Sequence, residues 1–120
     1  MSEWTVVLRF SVLTTEVTDF RSRAMATARL LAAADGCQGV EVGRASDAPS
    51  MWMLAIRWDS VGAYRRALGS HQVKAEGMPF LSTAIDEPTA FEVLFASDVR
   101  GERSAPGDLA SDAATVDRSR

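Results

Sequence analysis

Two segments of the chain place large apolar residues at alternate positions, which is the period-two pattern of β-strands. The first runs from Trp4 to about Leu13, and the second runs from Met51 to Trp58. In the second segment, one face collects four large apolar side chains, Trp52, Leu54, Ile56 and Trp58. Both segments therefore predict strands that turn one face toward a core.

Elsewhere the apolar spacing changes to steps of three and four, which is typical of amphipathic helices. The longest such pattern extends from about Thr15 to Ala34, and Gly36 is placed to end that helix. A second helix is predicted over residues 61–68, where Asp59 or Ser60 would serve as the N-cap.

The remaining elements have weaker patterns. Residues 37–46 predict a strand that forms a hairpin with the Met51 strand, and residues 90–95 predict the last strand of the domain. Between them, residues 70–85 favour short helical turns. From residue 96 to 120 large apolar residues are scarce, so we expect a domain over residues 1–95 and a disordered polar tail over 96–120.

The order strand, helix, strand, strand, helix, strand predicts an α+β, ferredoxin-like fold with a four-stranded antiparallel sheet and both helices on one face. The other face would carry one charge per strand among apolar residues. This face has two interpretations, a solvated surface or the interface of a homodimer, and the apolar content favours the homodimer. Its expected charged members are Arg9, Glu41, Arg57 and Glu92.

Composition narrows the function classes. A chain of 120 residues with 47% hydrophobic content allows one domain, and a net charge of -3 without a basic block disfavours nucleic acid as a partner. The single cysteine, Cys37, and the single histidine, His71, predict neither an intrachain disulfide nor a metal cluster. No apolar run approaches the roughly 18 residues of a membrane span, so we expect a cytoplasmic protein without a membrane partner.

Three side chains are candidates for chemistry. Trp58 ends a strand beside the start of a helix, where it is either ordinary core or a platform for an aromatic ligand. Tyr64 either extends its hydroxyl to water or hydrogen-bonds a bound phenol or enolate. His71 is either a solvated residue at a helix start or a general base near neutral pH.

The segments Trp58-Asp59-Ser60-Val61-Gly62-Ala63-Tyr64-Arg65 and Asp35-Gly36-Cys37-Gln38-Gly39-Val40 resemble the antibiotic biosynthesis monooxygenase family of dimeric α+β barrels. The resemblance extends from about residue 4 to residue 95. It implies a reaction like that of the anthrone-oxidising members, which use no metal, flavin or haem. In those members a phenolic substrate lies between sheet and helices, and its carbanion passes an electron to molecular oxygen.

The resemblance also implies a set of site residues. Trp58 and Tyr64 occupy the positions of the subgroup's pocket tryptophan and tyrosine. Leu54, Arg44 and Met78 lie at or near positions where the subgroup carries an asparagine, a histidine and an arginine. We therefore expect Trp58, Leu54, Arg44 and Met78 to contact substrate, and we take Tyr64 together with the single histidine as the catalytic candidates.

Two functions from different classes stay open. The first is a cofactor-independent monooxygenase that oxidises a phenolic or polycyclic aromatic molecule. The second is a non-catalytic binding or accessory domain, because Leu54 cannot hydrogen-bond a substrate oxygen. Haem binding is a weaker third possibility, since the positions of the haem-degrading members' tryptophan and histidine ligand read approximately Ala67 and Glu76 here.

Overall fold

The computed structural model describes residues 2–107. Four of its strands form one sheet, β1 (Trp4–Ser11), β2 (Cys37–Arg44), β3 (Met51–Trp58) and β4 (Ala90–Glu92), and two more form a separate hairpin, β5 (Phe95–Asp98) and β6 (Gly101–Ser104). The helices are α1 (Val17–Ala32), α2 (Val61–Gly69) and α3 (Met78–Leu81). A short 3-10 turn, Thr14–Glu16, precedes α1, and a π-helical segment, Val73–Gly77, precedes α3.

The four-stranded sheet has the order β2-β3-β1-β4, and all its neighbours are antiparallel. Trp4 pairs with Trp58 and Phe10 pairs with Trp52, so the two alternating segments meet along their whole length. The predicted α+β, ferredoxin-like arrangement is confirmed, and so is the β2–β3 hairpin.

The core lies between one face of this sheet and the helices. It contains the alternate apolar residues of β1 and β3 together with the buried stripe of α1 and residues of α2 and α3. The largest of these that are nearly fully buried are Trp58, Phe10, Leu31, Leu54 and Ile56. Burying one such side chain stabilises the fold by about 1.5–3 kcal/mol, which explains why the period-two pattern decides the strand faces.

The junction between β3 and α2 is held by its own sequence. The Ser60 hydroxyl accepts a hydrogen bond from the Ala63 backbone N–H at 3.2 Å, which makes Ser60 the N-cap. Gly36 follows α1 at φ +86°, a left-handed conformation that disfavours other residues. A Cβ at Gly36 would also collide with the Cβ of Ala63, so this glycine lets α2 approach the end of α1.

The outer face of the sheet, opposite the helices, differs from the sequence expectation. Trp4 pairs with Glu92, which places Glu92 on the helix side, and Phe91, 51% exposed, takes the outer position opposite Thr5. The alternation in residues 90–95 predicted two faces of a strand but did not show which face packs against the core. Arg9 is on the outer face but pairs within its own chain, with its Nη2 2.7 Å from a carboxylate oxygen of Glu87.

The expectation of a disordered tail from residue 96 is wrong for residues 96–104, which form most of the β5–β6 hairpin. Arg103 connects the hairpin to the domain, with its Nε 2.7 Å from Glu3 Oε2 and its Nη1 3.0 Å from Asp98 Oδ1. The hydrogen bonds from Arg103 hold the pKa of Asp98 well below its usual range. The polar composition of the segment did not indicate such charge-assisted pairs. Residues 108–120 of the predicted tail lie outside the described residues.

The segment between α2 and β4 contains helical segments in addition to turns. Its predicted helical stretch at residues 70–76 appears as the π-helical Val73–Gly77, and α3 begins directly afterwards. Within residues 2–107, no helix has the length and apolar content to cross a bilayer. The cytoplasmic location stays a prediction.

Candidate functional site

An apolar cavity of about 130 Å³ lies between the sheet and the helices. Strands β1 and β3 provide its floor, and α1, α2 and α3 provide its walls. The side chains around it are Val6, Leu8, Leu31, Ile56, Trp58, Tyr64, Leu68, Met78, Leu81 and Ser82. Aliphatic and aromatic walls with two hydroxyl groups are suited to a small aromatic ligand that carries a polar substituent.

Trp58 forms the inner end of this cavity. It is the last residue of β3 and is 0% exposed, and the centroid of its ring lies 5.8 Å from that of Tyr64, with the planes tilted by 41°. Within residues 2–107 its indole Nε1 is buried without a hydrogen-bond partner. A buried N–H without an acceptor costs about 1–3 kcal/mol.

Tyr64 brings the polar group of the site. It lies one turn into α2, on the face that contacts the sheet, and is half-buried. Burial raises the pKa of its phenol above the ordinary value, and a hydrogen bond with Thr89 opposes that rise only in part. Tyr64 is therefore a neutral phenol at physiological pH, the form that can donate a hydrogen bond.

Met78 and Ser82 mark the open side of the cavity, because both are exposed while also lining it. Met78 begins α3 directly after the π-helical segment. A methionine has three rotatable side-chain bonds and adapts its shape at low cost. The mouth is therefore the adaptable part of the cavity, and the Trp58 end is the rigid part.

Three of the residues expected from the sequence at the site are not brought to this cavity. Leu54 is buried in the core but does not line it. Arg44 lies at the far end of β2, where its guanidinium stacks 5.0 Å from the centroid of the Trp52 ring and donates to the Pro49 carbonyl. His71 is exposed just after α2 and lines none of the described cavities. Of the expected residues, Trp58, Tyr64 and Met78 come together.

The structure adds residues that sequence reasoning did not select. Thr89 reaches the Tyr64 phenol from the segment before β4, and its own carbonyl accepts a hydrogen bond from the Val7 N–H at 2.8 Å. Ser82 and Leu68 line the cavity. Nothing in the local pattern marks Thr89, because its role depends on a contact between residues far apart in the chain.

A larger cleft of about 350 Å³ lies elsewhere, between the end of α1 and α2. Its polar lining residues include Asp35, Arg66, Ser70 and Gln72, and it contains no aromatic side chain. This cleft offers no stacking surface, so the smaller cavity at Trp58 is the better candidate for an aromatic ligand. Among residues 2–107 no group of three or more His, Cys, Asp or Glu side chains could hold a metal ion.

Comparison with known proteins gives a consistent picture. Residues 4–75 match the sequence model of the antibiotic biosynthesis monooxygenase family. SnoaB from Streptomyces nogalater, described as a cofactor-independent oxygenase and solved as a variant, is similar with a TM-score of 0.62 at 21% identity, covering 91% of this chain and 98% of its own.

Two further solved structures have similar backbones. A conserved protein from Methanosarcina mazei gives a TM-score of 0.63 at 20% identity, over 76% of this chain and 92% of its own. A protein from Mycobacterium tuberculosis gives 0.63 at 18% identity, over 82% of this chain and 99% of its own. At these identities the likeness shows the fold alone. No curated protein matches the sequence.

Proposed function

The chain belongs to the antibiotic biosynthesis monooxygenase family, and we propose that it oxidises a phenolic aromatic small molecule with molecular oxygen, without a cofactor, in the Trp58–Tyr64 cavity. The observation that carries this proposal is an apolar cavity with an indole and a neutral phenol side by side in its wall. The description of SnoaB as a cofactor-independent oxygenase supports the same type of reaction.

The proposed reaction needs no external reductant because the substrate supplies all the electrons. A phenolic substrate releases a proton to water, and the resulting anion transfers one electron to O2, which gives a substrate radical and superoxide. Their combination forms a C–O bond, and the peroxide anion takes a proton back from water to give a hydroperoxide. Loss of water from that hydroperoxide leaves a carbonyl, so a CH2 group and one O2 become a C=O group and one H2O.

The protein would contribute position and polarity rather than a redox group. Trp58 would hold the substrate ring by stacking or edge contact, and Tyr64 would donate a hydrogen bond to the anionic oxygen as charge develops. The hydrogen bond between Tyr64 and Thr89 would keep that donor in one orientation. Apolar walls exclude water, which strengthens this hydrogen bond and protects the carbanion from reprotonation.

Oxygen consumption tests the proposal. We expect the purified protein to take up O2 with at least one member of a panel of phenols, and we expect Tyr64→Phe to slow that uptake. The uncatalysed oxidation of each phenol in buffer is the control. Oxygen consumption at the buffer rate with every phenol that binds would overturn the enzymatic proposal.

A second candidate function is a binding domain without catalysis. The observation that favours it is the lining of the cavity, which contains no carboxylate, histidine, lysine or arginine. Such a site could hold an aromatic ligand and yet lack a base to remove its proton. A phenol that raises the melting temperature without forming a product would support this alternative.

We further propose that the protein acts as a homodimer through the outer face of the sheet. Val7, Met53 and Ala55 are half-buried there, and the neighbouring Phe91 is 51% exposed. An apolar sheet face without helices on it would gain free energy by covering the same face of a second copy. Sedimentation should give a dimer, whereas Met53→Glu should give a monomer; a wild-type monomer at micromolar concentration would exclude this interface.

A further inference from the structure

The volume of the Trp58–Tyr64 cavity limits the size of a ligand. It measures about 130 Å³. A protein cavity of roughly 150 Å³ with aliphatic and aromatic walls holds a single benzene ring, so this cavity has space for no more than one ring, with a substituent at its open mouth. Fused systems of two or three rings need correspondingly more space, so they would enter this cavity only if its walls moved.

The inner walls are poorly able to move. Trp58, Ile56 and Leu31 are at most 2% exposed, and all three belong to the close-packed core. Displacing such residues costs about 1–3 kcal/mol for each oversized group, because a packed core has no spare volume to receive them. Only the mouth at Met78 and Ser82 can adapt, so a second ring would have to remain there rather than enter.

The cavity wall also has a chemical preference. Two of its lining residues carry hydroxyl groups, Tyr64 and Ser82, and the other lining side chains are aliphatic, aromatic or methionine. Burial raises the pKa of the Tyr64 phenol, so this group is neutral at physiological pH. A ligand with an oxygen substituent can accept a hydrogen bond from the phenol, whereas a hydrocarbon of the same size cannot.

We propose that this site selects a single aromatic ring that carries a hydroxyl group, a simple phenol or a dihydroxybenzene, over fused-ring phenols. This inference rests on the proposed function for the location of the site, and it names the substrate class. The Tyr64 hydroxyl accounts for selection of the oxygen substituent, and the cavity volume accounts for selection of one ring.

A dihydroxybenzene also satisfies the electron balance of the proposed oxidation. Hydroquinone and one O2 would give hydroxybenzoquinone and one H2O. One ring C–H becomes C–OH, and the hydroquinone becomes a quinone, so the substrate provides every electron that O2 accepts. One oxygen atom enters the product and the other leaves as water.

Binding should be measured without oxygen, so that affinity is separated from turnover. The probes are hydroquinone, the corresponding two-ring naphthohydroquinone, three-ring anthrone, and toluene as the one-ring hydrocarbon. We expect hydroquinone to bind at least about tenfold more tightly than either fused-ring compound, and about tenfold more tightly than toluene. Tighter binding of anthrone or naphthohydroquinone than of hydroquinone would overturn the size selection.

Two leucine truncations provide a matched pair. Leu81→Ala removes a side chain that lines the cavity, whereas Leu54→Ala removes the same atoms from a buried position outside it. We expect Leu81→Ala to improve naphthohydroquinone binding relative to hydroquinone and Leu54→Ala to leave that ratio unchanged. Equal ratios in both variants would show that this cavity does not set ring size.

Tyr64→Phe tests the hydrogen-bond preference, since it keeps an aromatic ring and removes the hydroxyl. The ratio of hydroquinone to toluene affinity should fall toward one, and an unchanged ratio would contradict the assigned donor.

Oxygen consumption then separates the proposed ligand class from the proposed oxidation. Selective binding of hydroquinone without O2 uptake supports the ligand class and overturns the oxidation, whereas binding of no one-ring probe overturns the ligand class.

Discussion

The rings of Trp58 and Tyr64 lie 5.8 Å apart between centroids, at an interplanar angle of 41°, although they belong to a strand and to the helix that follows it. The Ser60 cap sets the start of α2, and therefore decides which face of the helix Tyr64 occupies. The strand end buries the indole completely, while the helix leaves the phenol half-buried. The pair therefore has a rigid apolar member and a polar member that can respond to a ligand.

Replacing Tyr64 by phenylalanine should reduce kcat/KM for phenol oxidation by about 10- to 100-fold, because one hydrogen bond to a developing charge is lost while the ring remains. Steady-state oxygen consumption measures this effect. The loss of the contact with Thr89 should cost only about 1 kcal/mol of unfolding free energy, so the variant should remain folded. An unchanged kcat/KM would remove Tyr64 from the reaction.

Replacing His71 by alanine should leave kcat/KM and the pH profile unchanged, because this side chain is exposed and does not line the cavity. Oxygen consumption across neutral pH provides the measurement. The comparison with Tyr64→Phe is informative because the sequence nominated both residues as catalytic. If the pH dependence of kcat/KM near neutral pH disappeared in His71→Ala, the histidine would have to reach the substrate in the active form.

Much of the fold could be predicted because burial patterns and local backbone chemistry decide it. The alternation in β1 and β3, the helix cap and Gly36 each follow from local chemistry, and the structure has them as expected, with Ser60 as the cap of the two candidates. The same holds for Trp58 and Tyr64, which the strand end and the helix spacing placed at one junction. These features depend on residues that are close together in the chain.

The missed features depend on residues far apart in the chain. Glu92 lies on the helix side because β4 pairs with β1 in one register, and the Ser2 hydroxyl donates to its carboxylate at 2.7 Å. The β5–β6 hairpin is ordered by Arg103, whose partner Glu3 is near the other end of the chain. Thr89 meets Tyr64 for a similar reason. Local periodicity carries no information about such pairings.

Replacing Gly36 by alanine should lower the unfolding free energy by about 2–4 kcal/mol. The position has φ +86°, and a Cβ there would lie 2.8 Å from Asp59 Oδ1 in addition to its collision with Ala63. Urea unfolding at one fixed protein concentration measures the change. Gly69→Ala is the matched control. A Cβ added there would contact nothing within 4 Å outside the neighbouring turn of its own helix, and alanine favours helix.

Gly69→Ala should accordingly be neutral or stabilise the protein by up to about 1 kcal/mol. Similar losses of unfolding free energy in Gly36→Ala and Gly69→Ala would show that neither the positive φ nor the approach of α2 to the end of α1 is important. Selective loss in Gly36→Ala should also weaken ligand binding, since α2 carries Tyr64 and Leu68 into the cavity wall.

Alkaline titration should report directly on Tyr64, because it is the only tyrosine in the sequence. Phenolate absorbance should appear at a pH above the ordinary tyrosine range, since burial raises the pKa of Tyr64. A phenol whose pKa is higher in the folded protein than in the unfolded chain stabilises the fold below the unfolded pKa of about 10, and this stability is lost as the pH rises through the folded pKa. Thr89→Val removes the hydrogen bond that favours the phenolate while preserving side-chain shape, so it should move the titration to still higher pH. A midpoint at or below the ordinary value in the wild type, or a downward shift in Thr89→Val, would contradict this account of the site.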